Sequence, residues 1–160
     1  MASKPRKSWK EKLHDSKGLP KIGKFPPNMS RRWGSGTAVI PAPIEVDEIM
    51  RRVPKGRLIT TRQIGQMLAA KHKVEMACPI TTGIFAWISA HAAAEDLENG
   101  RKRVTPFWRT LKPDGSLNPK YHGGIESQAS RLRIEGYQIV PAKGKKPPAV
   151  ADFEKYLWRK

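Results

Sequence analysis

Apolar residues recur at helical spacing in several separate stretches of this chain. Across Ile44–Val53 they fall at Val46, Ile49, Met50 and Val53, one face of an amphipathic helix that Pro54-Lys55-Gly56 ends. Leu58-Ile59 forms a short connector. Thr60 or Thr61 then caps a second helix with Ile64, Met67 and Leu68 inward. Cys78-Pro79 opens a third helix, with proline at a first-turn position where no intrahelical hydrogen bond is lost. Its expected buried stripe is Ile80, Ile84, Trp87, Ile88 and His91. Glu126–Glu135 reads as a fourth helix, and Trp108–Tyr121, turning at Asp114-Gly115, as a small hairpin ribbon. The pattern predicts a mainly α fold with a small β ribbon, a winged-helix-like three-helix domain over residues 41–140.

The flanks read differently. Residues 1–40 hold ten basic and two acidic residues, several prolines and glycines, and little periodicity. Such a segment buries little apolar surface, so it is expected as an extended or disordered basic arm. Trp9 and Trp33 are the exceptions that suit docking onto the folded part. Residues 141–160 are expected as a basic linker, Pro141–Pro148, and a short docking helix, Asp152–Trp158, anchored by Phe153, Tyr156 and Leu157.

Charge narrows the function. Lys plus Arg number 31 against 14 Asp plus Glu, a formal net charge of +17. A polyanionic partner is expected, with nucleic acid the usual one, and the alternative is a solvated basic surface or a ribosome-associated tail. The single cysteine, Cys78, excludes an intramolecular disulfide and a Cys-rich zinc cluster. His14, His72, His91 and His122 lack metal-ligand spacing, so neither metal nor cofactor is expected. No apolar run reaches membrane-spanning length, and no secretory core follows the basic N-terminus. A monomer in the cytoplasm, associated with the nucleoid, is the expectation.

Three motifs in order carry a resemblance. The first is Val53-Pro54-Lys55-Gly56-Arg57-Leu58-Ile59-Thr60-Thr61 and the second is Cys78-Pro79-Ile80-Thr81-Thr82-Gly83. The third runs from Pro106 and Arg109 through Asp114-Gly115-Ser116-Leu117 and Tyr121-His122-Gly123-Gly124-Ile125 to Glu135-Gly136. Over roughly residues 44–139 this layout resembles the DNA-binding domain of the O6-alkylguanine-DNA alkyltransferases. Those proteins carry Pro-Cys-His-Arg at their active site. Here Phe107 stands at the acceptor cysteine and Trp108 at the histidine. Alkyl transfer needs a thiolate and a base to generate it, and this frame has neither. The chain resembles the alkyltransferase-like branch, though Phe107-Trp108 departs further, since that branch keeps its histidine.

The resemblance implies roles residue by residue. DNA contacts are expected from Thr60, Thr61 and Arg62, with Thr61 where the family has a phosphate-pushing tyrosine. Pro79, Ile80, Thr81 and Thr82 begin the recognition helix, and Ile80 replaces the arginine that fills the gap left by a flipped nucleotide. Ile80 suits either an apolar wedge or the core. Arg101, Lys102 and Arg103 suit phosphate contacts. The base pocket is expected at Phe107, Trp108, Arg109, Tyr121, His122, Gly123, Gly124 and Glu135, with aromatic walls for an extruded base. Arg109 is structural in the family, and Glu135 matches the carboxylate that orients its histidine. Here Glu135 is left to meet the Trp108 indole or Arg109. Cys78 is expected to pack at a helix cap rather than to accept an alkyl group.

The reading that follows is a non-enzymatic protein that recognises alkylated bases in DNA by nucleotide flipping and signals to repair proteins. The alternative is a non-specific winged-helix or architectural DNA-binding protein whose pocket is plugged by Phe107 and Trp108.

Overall fold

The helical stretches form close to where periodicity puts them in this computed structural model, which describes residues 7–24 and 36–159. Helix α1 spans Trp9–His14, α2 Pro43–Arg52, α3 Thr61–His72, α4 Pro79–Glu98 and α5 Gly124–Ile134. Strands β1 (Lys21–Lys24), β2 (Thr37–Ile40) and β4 (Met76–Ala77) make one sheet in the order β1-β2-β4. Strand β3 (Ile59–Thr60) pairs in parallel with β5 (Thr110–Leu111). Strands β6 (Ile139–Val140) and β7 (Ala149–Val150) pair antiparallel. The expected class, mainly helical with small β elements, holds.

Local chemistry explains the helix boundaries. At the head of α3, Thr60 Oγ1 accepts from the Gln63 N–H at 3.2 Å and Gln63 Oε1 accepts from the Thr60 N–H at 3.0 Å. That reciprocal pair satisfies two donors that a helix start otherwise leaves open. In α2, Glu45 accepts from the Ala42 N–H at 3.0 Å and meets Lys71 and His72 of α3, each at 2.7 Å. Burial raises the Glu45 pKa, but Lys71, the Ala42 amide and His72 together hold it below the ordinary carboxylate value.

Two apolar cores result. One lies among α2, α3 and α4, with Val46, Met50, Ile64, Leu68, Ala86 and Ala90 at its centre. The second gathers Leu58, Leu111, Leu117, Leu132 and Val150 beneath α5. Trp108 packs against both.

Three expectations are corrected. The inner face of α4 is Thr82, Ala86, Ser89, Ala90 and Ala93, not the isoleucine–tryptophan stripe, and Ile80 is 57% exposed. Small residues form the face of α4 that meets α2, and the bulkier side chains fall on its flanks. Trp87 and His91 serve there as the seat of α1. Secondly, Trp108–Tyr121 makes no hairpin of its own. Thr110–Leu111 pairs with β3, while the Asp114-Gly115 turn is kept, closed by the Lys112 N–H on Ser116 O at 3.0 Å. Gly115 has φ +85° and lies against the Phe153 ring, so a side chain is excluded twice over.

Thirdly, the described part of residues 1–40 is folded. Trp9 stacks on His91 with centroids 4.4 Å apart and meets Trp87 edge-on at 5.8 Å, while Leu13 is buried. Glu95 accepts from the Trp9 N–H at 2.5 Å and so caps α1 from α4. Expectations for Trp33, and for the basic residues among 1–6 and 25–35, lie outside the described residues. At the other end, Pro141–Pro148 is the loop of the β6–β7 hairpin, and Phe153–Tyr156 is a 3-10 turn. Trp158 N–H donates to Leu58 O at 2.7 Å and Leu58 N–H to Tyr156 O at 2.8 Å, which ties the tail to the centre.

Candidate nucleic-acid interface and base pocket

A short 3-10 turn, Phe107–Arg109, places the Phe107 and Trp108 rings side by side. Its position is fixed by polar groups on all sides. Gln128 of α5, fully buried, donates to Trp108 O at 3.2 Å and Thr110 O at 3.1 Å, and accepts from the Asn118 N–H at 2.8 Å. Asp47 of α2, 2% exposed, accepts from Ser89 of α4 at 2.6 Å and from Thr105 at 2.7 Å. These two side chains clamp the segment at both ends. Sequence reasoning missed both, because a lone Gln or Asp on a helix carries no motif.

Arg109 and Glu135 form a forked pair. Arg109 Nε meets Glu135 Oε1 at 2.9 Å and Nη2 meets Oε2 at 2.6 Å, while Nη1 donates to Val53 O at 2.8 Å. The guanidinium thereby joins the end of α2 to the end of α5. Burial raises the Glu135 pKa, but the Arg109 hydrogen bonds outweigh it and hold the carboxyl below its ordinary value. Of the two partners expected for Glu135, Arg109 makes the well-formed hydrogen bonds, while the Trp108 indole, close enough to lower the carboxyl pKa as well, falls short of hydrogen-bond geometry. The Trp108 Nε1–H is buried without a hydrogen-bond acceptor.

The expected pocket walls are in contact with one another. Phe107 is 1% exposed and Tyr121 2%, edge-to-face with centroids 6.1 Å apart, and Phe107 meets Trp108 edge-on at 5.4 Å. Burial pushes the Tyr121 hydroxyl pKa well up, opposed in part by nearby Asn118, and its oxygen makes no hydrogen bond of good geometry. Both rings are part of the first core. Arg131 of α5 lies over Trp108 at 4.7 Å and Phe107 at 5.8 Å, a cation–π cover that no motif announces. His122 is exposed beside them, its ring 5.6 Å from His91. Gly123 and Gly124 have φ +80° and +69° at the start of α5, and a Cβ on Gly123 would meet Ser127 Cβ at 2.5 Å. Both glycines are therefore demanded by the helix start itself.

The expected DNA-contacting residues fall in two places. Around the start of α4, Pro79 and Ile80 are exposed and Thr81 is half-buried. Thr82 is 1% exposed and its hydroxyl donates to Cys78 O at 2.7 Å. Thr60 is likewise consumed as the cap of α3, 4% exposed, while Thr61 is half-buried and Arg62 exposed. Thr61, Arg62, Pro79 and Thr82 share the rim of a cleft of about 550 Å³ between α3 and α4. Exposure of Ile80 removes the core reading and leaves an apolar side chain at the helix tip. Cys78 is half-buried at the N-cap of α4, outside the Phe107–Tyr121 cluster. Arg101, Lys102 and Arg103 are exposed beyond the other end of α4.

No family model matches the chain, and no curated protein matches it by sequence. Among solved structures it is similar to S. pombe ATL in complex with DNA, at 16% identity and TM-score 0.50, covering 74% of this chain and 94% of that one. S. pombe Atl1 in complex with damaged DNA containing O6-carboxymethylguanine aligns over the same shares at 16% identity, with a TM-score of 0.46. The first of these agrees in fold with what the sequence resemblance implied. The chain has the alkyltransferase-like fold.

Proposed function

We propose that the protein binds double-stranded DNA without chemistry and recognises alkylated bases in it. The observation that carries this reading is the site itself: the clamped Phe107–Arg109 turn and the Arg109–Glu135 fork are kept, while Phe107 and Trp108 replace the reacting groups. The net charge of +17 and the exposed tip of α4 supply the DNA-facing side. The positive end of the α4 macrodipole at Pro79 favours a nearby phosphate, and Ile80 suits a wedge between base steps.

Reading an extruded base requires the Phe107–Tyr121 contact to open. Aromatic pairs of this kind contribute about 0.5–1.5 kcal/mol, while stacking a base on an aromatic ring returns about 1–3 kcal/mol. The pair term excludes ring burial, worth about 1.5–3 kcal/mol for a phenylalanine, so opening is favourable only where the bound base takes over the burial that Phe107 and Tyr121 lose. The second reading, duplex binding with a permanently filled pocket, is favoured by the near-complete burial of both rings. Signalling to repair proteins is part of the first reading and follows from a protein that finds damage and leaves it in place.

The absence of transfer is tested directly. Duplex carrying radiolabelled O6-methylguanine should leave the protein unlabelled after prolonged incubation. Stoichiometric label on Cys78 would contradict the reading.

A further inference from the structure

A second basic site lies far from the tip of α4. Lys10 and His14 of α1, Arg51 of α2, and Arg101 and Arg103 after α4 line a cleft of about 310 Å³. Its floor carries Asp47 and Asp96. Asp96 meets Lys10 at 2.9 Å and Arg101 at 3.8 Å, and Asp47 meets Arg51 at 3.2 Å. Asp47 is also the acceptor for Ser89 and Thr105, so its charge is already committed within the fold. Four permanent cations (Lys10, Arg51, Arg101, Arg103) face two carboxylates, an excess of +2 with His14 neutral.

The carboxylates hold the cations in place without consuming them. Each guanidinium has five N–H donors. Arg51 gives one to Asp47, and Arg103 has no ion pair among the described residues. Arg51 and Arg101 keep 57% and 63% of their side chains exposed. Tethered, solvent-facing guanidiniums are suited to phosphate oxygens, because less conformational freedom is lost when the anion arrives.

Position decides what the cleft can touch. It abuts α4 at Ala92, Ala93 and Asp96, at least thirteen residues from Pro79. At 1.5 Å per residue that is about 20 Å along the helix, against a major groove about 12 Å wide. A groove that seats the tip of α4 leaves this cleft outside it. We propose that the cleft binds the phosphate backbone of a second DNA segment, so that one molecule bridges two duplexes. This rests on the DNA-binding function proposed above and adds a separate contact to it.

The test uses two duplexes with different fluorophores, the full-length protein, and energy transfer between duplexes as the readout. Wild-type protein should bring them together. Arg101→Glu with Arg103→Glu should abolish transfer and lower the dependence of log affinity for the second duplex on log salt by about 1.8, two contacts at 0.9 each. Both side chains are exposed, so folding should survive, and a melting curve checks it. Arg101→Lys with Arg103→Lys should keep the bridging. Transfer and slope unchanged in the double glutamate variant would overturn the proposal. So would single-duplex binding by the wild type with no transfer. A wild type that binds no DNA at all would overturn the function proposed above together with this one.

Discussion

Replacing Arg109 by alanine should cost about 3–5 kcal/mol of stability, the usual result of stripping one partner from a buried charge pair. Arg109 and Glu135 have side chains only 13% and 8% exposed, and the variant leaves Glu135 buried without its counter-ion and Val53 O without its donor. The loss should appear in denaturant melts as a lower midpoint with little change in slope. Glu135→Gln should cost less, because a neutral amide keeps one hydrogen bond and leaves only the guanidinium to rehydrate. The same pair gives the wild type an acid limb. The folded Glu135 pKa lies below its ordinary 4.5, so its stabilisation is complete above that value and is lost as pH falls through the folded pKa. Glu45 shifts in the same direction and adds to the loss over the same range. A melt series from pH 7 down to 3 should decline below about pH 4.5, and Arg109→Ala should flatten that decline.

The second large effect is on DNA affinity. Neutralising about six phosphates gives a slope near 5 in log affinity against log salt, so affinity should fall roughly a thousandfold between 50 and 200 mM salt. Exposed Arg62 near the α4 tip, and Lys102 beyond its other end, are among the cations expected to contribute. Lys102→Ala should weaken modified and unmodified duplexes alike, because a phosphate contact carries no base information. A salt slope near zero would show that the charge of the chain is not spent on DNA.

Much of this architecture was legible in the sequence, for identifiable reasons. Helices α2 and α3 carry strong local signals: a proline–glycine stop, a threonine cap and a regular apolar face. The Arg109–Glu135 relation and the Asp114-Gly115 turn were legible through motif order, since local turn chemistry survives sequence divergence. The buried face of α4 was not, because alanines win an inner position by size, which an apolar count underweights. Nor was the docking of α1. Its six residues are too few to show a period, and Trp9 finds Glu95 and His91 only in three dimensions. The same holds for the basic cleft, whose cations come from three separate parts of the chain. Whether Phe107 lines a cavity or fills one was equally invisible, since the same ring serves both.

That question sets the decisive measurement. Matched duplexes with and without O6-methylguanine are titrated at a fixed salt concentration, with a fluorescent base analogue opposite the lesion to report unstacking. The account predicts tighter binding to the modified duplex, a rise in analogue fluorescence, and loss of about tenfold in preference, where that much is present, in Tyr121→Ala. Equal affinity for the two duplexes with an analogue that stays dark would contradict base recognition and leave a protein that binds DNA by its backbone alone.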